Sequence, residues 1–187
     1  TAKHAAEKLG FIHINTGAMY RGIVLKCIQG KIDLNSSSDI DKILNQTNFK
    51  FGRIGGSVLF MDGEDISSEI ISSKVTELVS RVSAIPMVRE KLVQYQREMA
   101  KGLDVVLEGR DIGTVVFPEA EFKFFLIANI QERARRRKKE MEKQGKIISL
   151  TELSAELEYR DRKDSTREHS PLKKAEDAVE IDTTGLS

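Results

Sequence analysis

Val105-Val106-Leu107-Glu108-Gly109-Arg110-Asp111-Ile112-Gly113-Thr114-Val115-Val116-Phe117-Pro118 is the stretch on which the reading of the fold turns. The apolar run Val105 to Leu107 has the length and composition of a buried parallel strand. It ends in a carboxylate, a glycine, an arginine and a second carboxylate. In open α/β sheets ligands bind outside the carboxyl ends of strands, so Glu108, Arg110 and Asp111 fall where chemistry is expected. Gly109 allows a tight turn and Gly113 a close approach of the backbone. A lone Arg–Asp pair at a strand end would read as a solvated ion pair of little consequence. The rest of the chain argues for more.

Upstream, Thr1 to Gly10 reads as the later part of a helix closed by Gly10. Phe11 to Ile14 is a short strand, and Thr16 is placed to cap a helix running to about Gln29 with Ile23, Val24, Cys27 and Ile28 on one face. Arg21 lies early in that helix, where a cation opposes the dipole unless an anionic ligand is shared. Asp39 to Gln46 is a short helix. Phe49 to Gly63 reads as a hairpin inserted in an α/β chain, two alternating runs flanking Gly55-Gly56. Helices follow at about Lys74 to Ser83 and Pro86 to Lys101, with Pro86 at a favoured first position. Downstream, Phe122 to Ile127 is predicted as a core strand. From Glu132 to Lys146 the chain carries eight basic and three acidic residues, a basic helix that Gly145 ends. Ser149 or Thr151 caps a further helix, on which Arg160, Asp164 and Arg167 share one face if it continues. Ala178 to Asp182 is the last strand.

The chain has 187 residues with 30 basic and 29 acidic side chains, a net charge of +1. Anion binding must therefore come from local clusters rather than from an overall field. The single cysteine, Cys27, cannot form an internal disulfide and fits a core position in a reducing compartment. No run approaches the roughly 18 apolar residues of a membrane span, so no membrane partner and a cytoplasmic location are expected. His4, His13 and His169 stand at no metal-ligand spacing. Strands alternating with helices predict a parallel α/β sheet. The recurrence of Arg21, Arg110, Arg136, Arg160 and Arg167 near its carboxyl edge points to phosphate handling, since guanidinium forks meet phosphate oxygens in pairs.

Thr16-Gly17-Ala18-Met19-Tyr20-Arg21, Ser83-Ala84-Ile85-Pro86-Met87-Val88-Arg89, Glu108 to Pro118, Arg160-Asp161 with Asp164 and Arg167, Ser170-Pro171-Leu172 and Ile181-Asp182-Thr183-Thr184 together resemble the bacterial cytidylate kinases in order and spacing over the whole chain. The resemblance implies a three-layer α/β P-loop NTPase fold with a parallel central sheet. It implies a single kinase domain over 1–187, a CMP-binding insert at about 47–101 and a short lid at about 132–150. It implies transfer of the ATP γ-phosphate to CMP or dCMP, with Mg²⁺, in pyrimidine metabolism. The partners would be CMP, dCMP and ATP, with no nucleic acid, and the protein a monomer.

By the same resemblance Arg21, Arg110 and Arg167 hold the CMP phosphate, Ser80, Arg89 and Asp111 read the cytosine edge, and Thr16 lines the CMP site. Arg160 and Asp164 meet the pentose, while Arg110, Arg160 and Arg167 form the catalytic set. Arg136 and Arg137 reach the ATP phosphates from the lid. The P-loop of such kinases would lie upstream: Thr1 resembles its last residue, on the ATP side, and the chain without that loop is expected to be inactive. Asn15 stands where the family often has Asp, and Glu108, in place of the commoner Asp, keeps a charge that could act on Mg²⁺ through water. The alternatives are a kinase for another monophosphate such as UMP, and a non-catalytic nucleotide- or RNA-binding fragment using the basic run.

Overall fold

The computed structural model describes residues 1–52, 58–143, 145 and 147–186. It divides into two compact units, residues 1–112 and 113–187.

In the first unit, α1 (Ala2–Leu9) is closed by Gly10 in the left-handed conformation, φ +69°, as its sequence predicts. The chain reverses there and enters β1 (Ile12–Asn15), which pairs in parallel with β5 (Val105–Glu108), Asn15 standing opposite Glu108. No loop separates β1 from α2 (Thr16–Gln29). The N-cap is Asn15, not Thr16: the Asn15 side-chain oxygen accepts from the Ala18 N–H at 3.1 Å. Both residue types can cap, and the extended backbone of Asn15 (φ −89°, ψ 95°) decides between them. Met19, Ile23, Val24 and Cys27 of α2 are buried, and burial pushes the Cys27 thiol pKa up. Burying each of the larger of these side chains stabilises the unit by about 1.5–3 kcal/mol. The pairing of β5 is parallel as predicted, yet its residues are half-buried rather than buried.

Helix α3 (Ser37–Gln46) leads into β2 (Phe49–Phe51), which pairs antiparallel with β3 (Leu59–Met61). The hairpin is therefore present, while its Gly55-Gly56 turn lies outside the described residues. A second reversal follows at Asp62 (φ +54°) and Gly63 (φ +91°), joining β3 to the short β4 (Glu64–Asp65). Positive φ at both central residues is the hairpin turn that an Asp-Gly pair favours, so the predicted hairpin stretch ends in a second turn of its own. Helices α4 (Ser73–Val82) and α5 (Pro86–Ala100) match their predicted spans, with Pro86 at the start of α5.

The antiparallel sheet is tied to the helices by polar contacts. Lys26 of α2 donates to the Asp62 carboxylate at 2.6 Å, to Thr47 Oγ1 at 3.0 Å and to the Gln46 carbonyl at 3.2 Å. The Tyr95 hydroxyl of α5 donates to the Thr47 carbonyl at 2.6 Å, and its ring meets Phe49 edge to face.

In the second unit, a π-helical turn (Ile112–Val116) begins at the boundary, and β6 (Phe124–Ile127) pairs in parallel with β7 (Val179–Asp182). Phe124 is 60% and Leu126 46% exposed, so the predicted core strand is a strand but not a buried one. Strand propensity follows from side-chain shape, whereas burial depends on what packs against the face. Helices α6 (Ile130–Glu142) and α7 (Leu150–Thr166) form an antiparallel hairpin and pack on one another. Asn129 caps α6, and Ser149 caps α7 in a reciprocal box with Glu152. Arg167 falls just beyond α7, with extended backbone.

Burial opposes ionisation of Asp62, but the Lys26 ammonium and the Asn48 amide outweigh it and hold the pKa below the usual carboxylate range. A carboxylate lowered in this way contributes stability that is present above its unfolded pKa and is lost as pH falls through its folded one. The variant Asp62→Asn should therefore be less stable than the parent at pH 6, and the gap should close between about pH 5 and pH 2. Denaturant titrations at a series of pH values would measure it. A gap independent of pH would show that the ionised carboxylate is not what anchors the sheet.

Candidate active site

The carboxyl ends of β1 and β5 set the first group of side chains. Thr16 is 3% exposed, and its hydroxyl donates to the Glu108 carbonyl at 2.8 Å. This bond fixes the start of α2 against the end of β5, the two places from which Arg21 and Arg110-Asp111 project. Gly109 makes the contact possible: a Cβ there would collide with the Thr16 hydroxyl and lie 2.8 Å from Ile112 Cδ1. Gly109 is thus the close-approach position, rather than the turn position expected from its sequence, and its φ is not positive. Gly113 also admits a neighbour, the stem of Lys123.

His13 Nε2 lies 3.3 Å from Glu108 Oε1. Burial lowers the His13 pKa, against the opposing pull of Glu108, so the ring is neutral near pH 7.

Arg89 of α5 and Asp111 form a buried ion pair, 4% and 7% exposed as residues. Arg89 Nη1 also donates to the Ser83 carbonyl at 3.2 Å, and its guanidinium carbon stands 5.7 Å from the centroid of the Tyr20 ring. Ser83 in turn donates its hydroxyl to the Ser80 carbonyl at 3.2 Å. Ser80, Arg89 and Asp111, singled out separately in the sequence, are therefore linked through Ser83. Sequence reading assigned no role to Tyr20 or Ser83. The only signal was that each lies inside a quoted motif, because their contacts with Arg89 arise from the packing of α2, α4 and α5. A buried pair holds itself in place: removing one partner of such a pair costs about 3–5 kcal/mol, since the other charge is left without compensation.

In the second unit, Arg160, Asp164 and Arg167 come together as predicted. Asp164 is 5% exposed, with Arg160 Nε at 3.9 Å and Arg167 Nη1 at 3.7 Å from its two oxygens. The following segment supports them: Arg167 Nε donates to the Ser170 carbonyl at 2.6 Å, and the Leu172 N–H donates to the Asp164 carbonyl at 2.7 Å. This gives the Ser170-Pro171-Leu172 motif a physical task, the closing of α7 around its arginines.

Arg136 of α6 donates to the Thr183 carbonyl at 2.6 Å, the Leu186 carbonyl at 2.9 Å and Glu132 at 3.0 Å. Arg137 donates to Glu140 at 3.1 Å. Thr1 is exposed at the start of α1, with no side-chain capping bond. Arg21 and Arg110 are half-buried. Among the described residues no group of three or more His, Cys, Asp or Glu side chains is arranged to hold a metal ion, and no helix is long and apolar enough to cross a membrane.

A family model described as cytidylate kinase matches residues 1–187. The chain belongs to the cytidylate kinase family. It is 47% identical to a cytidylate kinase of Pediococcus pentosaceus over all of this chain and 83% of that protein. It is 46% identical to one of Caldanaerobacter subterraneus subsp. tengcongensis, over all of this chain and 82% of the relative, and 45% identical to one of Bacillus pumilus, over all of this chain and 83% of the relative. The mixed α/β architecture with parallel strand pairs agrees with the P-loop kinase fold that cytidylate kinase motifs imply.

The Thr16–Gly109 contact yields a test. Gly109→Ala should destabilise the protein by about 1–3 kcal/mol, the usual cost of overpacking, and Thr16→Ala in the same chain should recover part of the loss by vacating the space. Thermal melts of the two variants decide it. Full stability in Gly109→Ala alone would remove the clamp.

Proposed function

We propose that this chain works as a nucleoside monophosphate kinase that moves the γ-phosphoryl group of ATP to CMP or dCMP, giving CDP or dCDP. The observation that carries the reading is the buried Arg89–Asp111 pair. Cytosine offers an amino donor beside a ring nitrogen and a carbonyl that accept. A fixed carboxylate accepts from the amino group, while an arginine and a serine hydroxyl donate to the acceptors. Uracil presents a carbonyl where cytosine has its amino group, so an ionised Asp111 would repel it. Desolvated, oriented groups of this kind reject the wrong analogue strongly, because it leaves them unpaired.

Within the first unit, Ser80, Arg89 and Asp111 take the base. Arg21 and Arg110 take the CMP phosphate, and Thr16 holds their backbone supports together. Within the second unit, Arg160 and Asp164 suit the pentose, Arg167 the acceptor phosphate, and Arg136 and Arg137 the phosphates of ATP. The attacking phosphate oxygen is already ionised near neutral pH, so no general base is required. Catalysis then rests on position and on neutralising charge, which the arginines supply. Arg110 in the first unit, and Arg160 and Arg167 in the second, carry the catalytic roles in this reading.

Mg²⁺ would arrive on the ATP phosphates, as is usual for an ion that keeps most of its waters, and when bound it screens their charge. The Glu108 carboxylate, 43% exposed at the strand end, is suited to hold a water of that ion. Asn15 is neutral and engaged as a helix cap. We assign residues 47–101 as the acceptor insert and 132–150 as the lid, in a monomeric, cytoplasmic enzyme. The cations of α6 support a lid over a nucleic-acid track: Arg133, Arg135, Arg136, Arg137 and Lys138 each face an acidic partner of α6 or α7.

A coupled assay of the intact protein with ATP and Mg²⁺, comparing CMP, dCMP and UMP, tests the reading. CMP-dependent ADP formation well above that with UMP is expected, and its absence would overturn the assignment. Asp111→Ala should raise KM for CMP at least about tenfold with little change in KM for ATP. Asp111→Asn, which keeps the packing, separates recognition from folding. Equal losses on both substrates would refute the role given to Asp111.

A further inference from the structure

Arg133 and Asp161 meet across the α6–α7 hairpin in a two-pronged ion pair, with Arg133 Nη1 on Asp161 Oδ2 and Nη2 on Oδ1, the second at 3.0 Å. Both side chains are part-buried, 29% and 26% exposed. Neither residue meets a substrate in the kinase reading. Their position is what makes the contact informative. Arg133 lies in the first turn of α6, and Asp161 lies in the last turns of α7, so the fork ties the open base of the hairpin.

The geometry of the helices defines what the fork controls. Arg136 stands three residues beyond Arg133, about 4.5 Å along the axis at 1.5 Å per residue. Arg160 is the immediate neighbour of Asp161, and Asp164 is three residues further on, about one turn away. A single point contact would constrain the rotation of α7 about its axis less than a fork does. A planar guanidinium meeting both carboxylate oxygens fixes direction as well as distance. Rotation of α7 by some tens of degrees would swing Arg160 and Asp164 by ångströms, and displacements of about 1 Å at reacting groups cost up to about a hundredfold in rate.

We propose that Asp161, through Arg133, is a positioning residue that sets the register between the donor-side arginines of α6 and the acceptor-side Arg160, Asp164 and Arg167. This rests on the kinase reading given above. Asp161 touches neither substrate in this account and acts only through the helix it orients. Its loss should therefore lower kcat and, because Arg160 and Asp164 meet the pentose, raise KM for CMP, while KM for ATP stays nearly intact.

The test is a double-mutant cycle in the intact protein with Arg133→Gln, Asp161→Asn and the two combined. Arg133→Lys is a milder variant that keeps the charge but loses the fork. CMP phosphorylation and thermal unfolding are read on each. Each single neutral variant should lower kcat about tenfold and raise KM for CMP, with KM for ATP changed less than about threefold. The combined variant should fall no further than either single one, and Arg133→Lys should lie between the parent and Arg133→Gln. Folded variants with unchanged kcat, losses confined to KM, or losses that multiply in the combined variant would each overturn the proposal while the kinase reading stands. An unaltered protein that does not phosphorylate CMP would overturn both.

Discussion

The hydrogen bond from Thr16 to the Glu108 carbonyl is the constraint on which the first unit depends. It joins residues 92 apart in sequence at the point where two parallel strands end and the chain turns toward Arg21 on one side and Arg110 on the other. A buried hydroxyl bond contributes only about 1 kcal/mol net, so its importance is geometric rather than energetic. Gly109 permits it, since a Cβ there would meet the Thr16 hydroxyl, and two residues on, Asp111 pairs with Arg89 of α5. The hydrophobic face of α2, with Met19, Ile23 and Val24 almost wholly enclosed, supplies the stability that holds this bond in place.

The two units solve similar problems differently. In the first, charge is enclosed: Arg89 and Asp111 are withdrawn from water together and oriented by the Ser83 carbonyl and the Tyr20 ring. In the second, charge is arranged along helices. Asp164 collects two arginines, and Asp161 collects a third from α6. The Ser170 carbonyl and the Leu172 amide then close the end of α7 where ordinary helical bonding has stopped. A proline at 171 suits that place, since it cannot continue a helix.

Much of this was legible from residues alone. Gly10 stops α1 and Pro86 starts α5 because each has a backbone preference that needs no tertiary help. The spacing of Arg160, Asp164 and Arg167 places them together even though Arg167 lies one residue past the helix, since one extended residue does not carry its side chain out of reach of Asp164. What sequence could not give was set by packing. Asn15 and Thr16 are both capping residues, and only the backbone angle at the strand end chooses Asn15 and releases Thr16 for Glu108. The apolar run around Phe124 declares a strand but not its exposure. The contact of Tyr20 with Arg89 has no local signature, and that the Phe49 to Gly63 stretch makes two reversals rather than one appears only in the strand pairing.

The enclosure of Arg89 and Asp111 also bears on how the protein would respond to ionic strength. At physiological salt the field of an exposed charge is screened over about 8 Å, whereas a buried pair is screened much less. Discrimination between bases, which in our reading rests on that pair, should then hold nearly constant as salt rises. Attraction of phosphates to the exposed cations of α6 should weaken. Selectivity and capture would thus be separable by the composition of the medium alone.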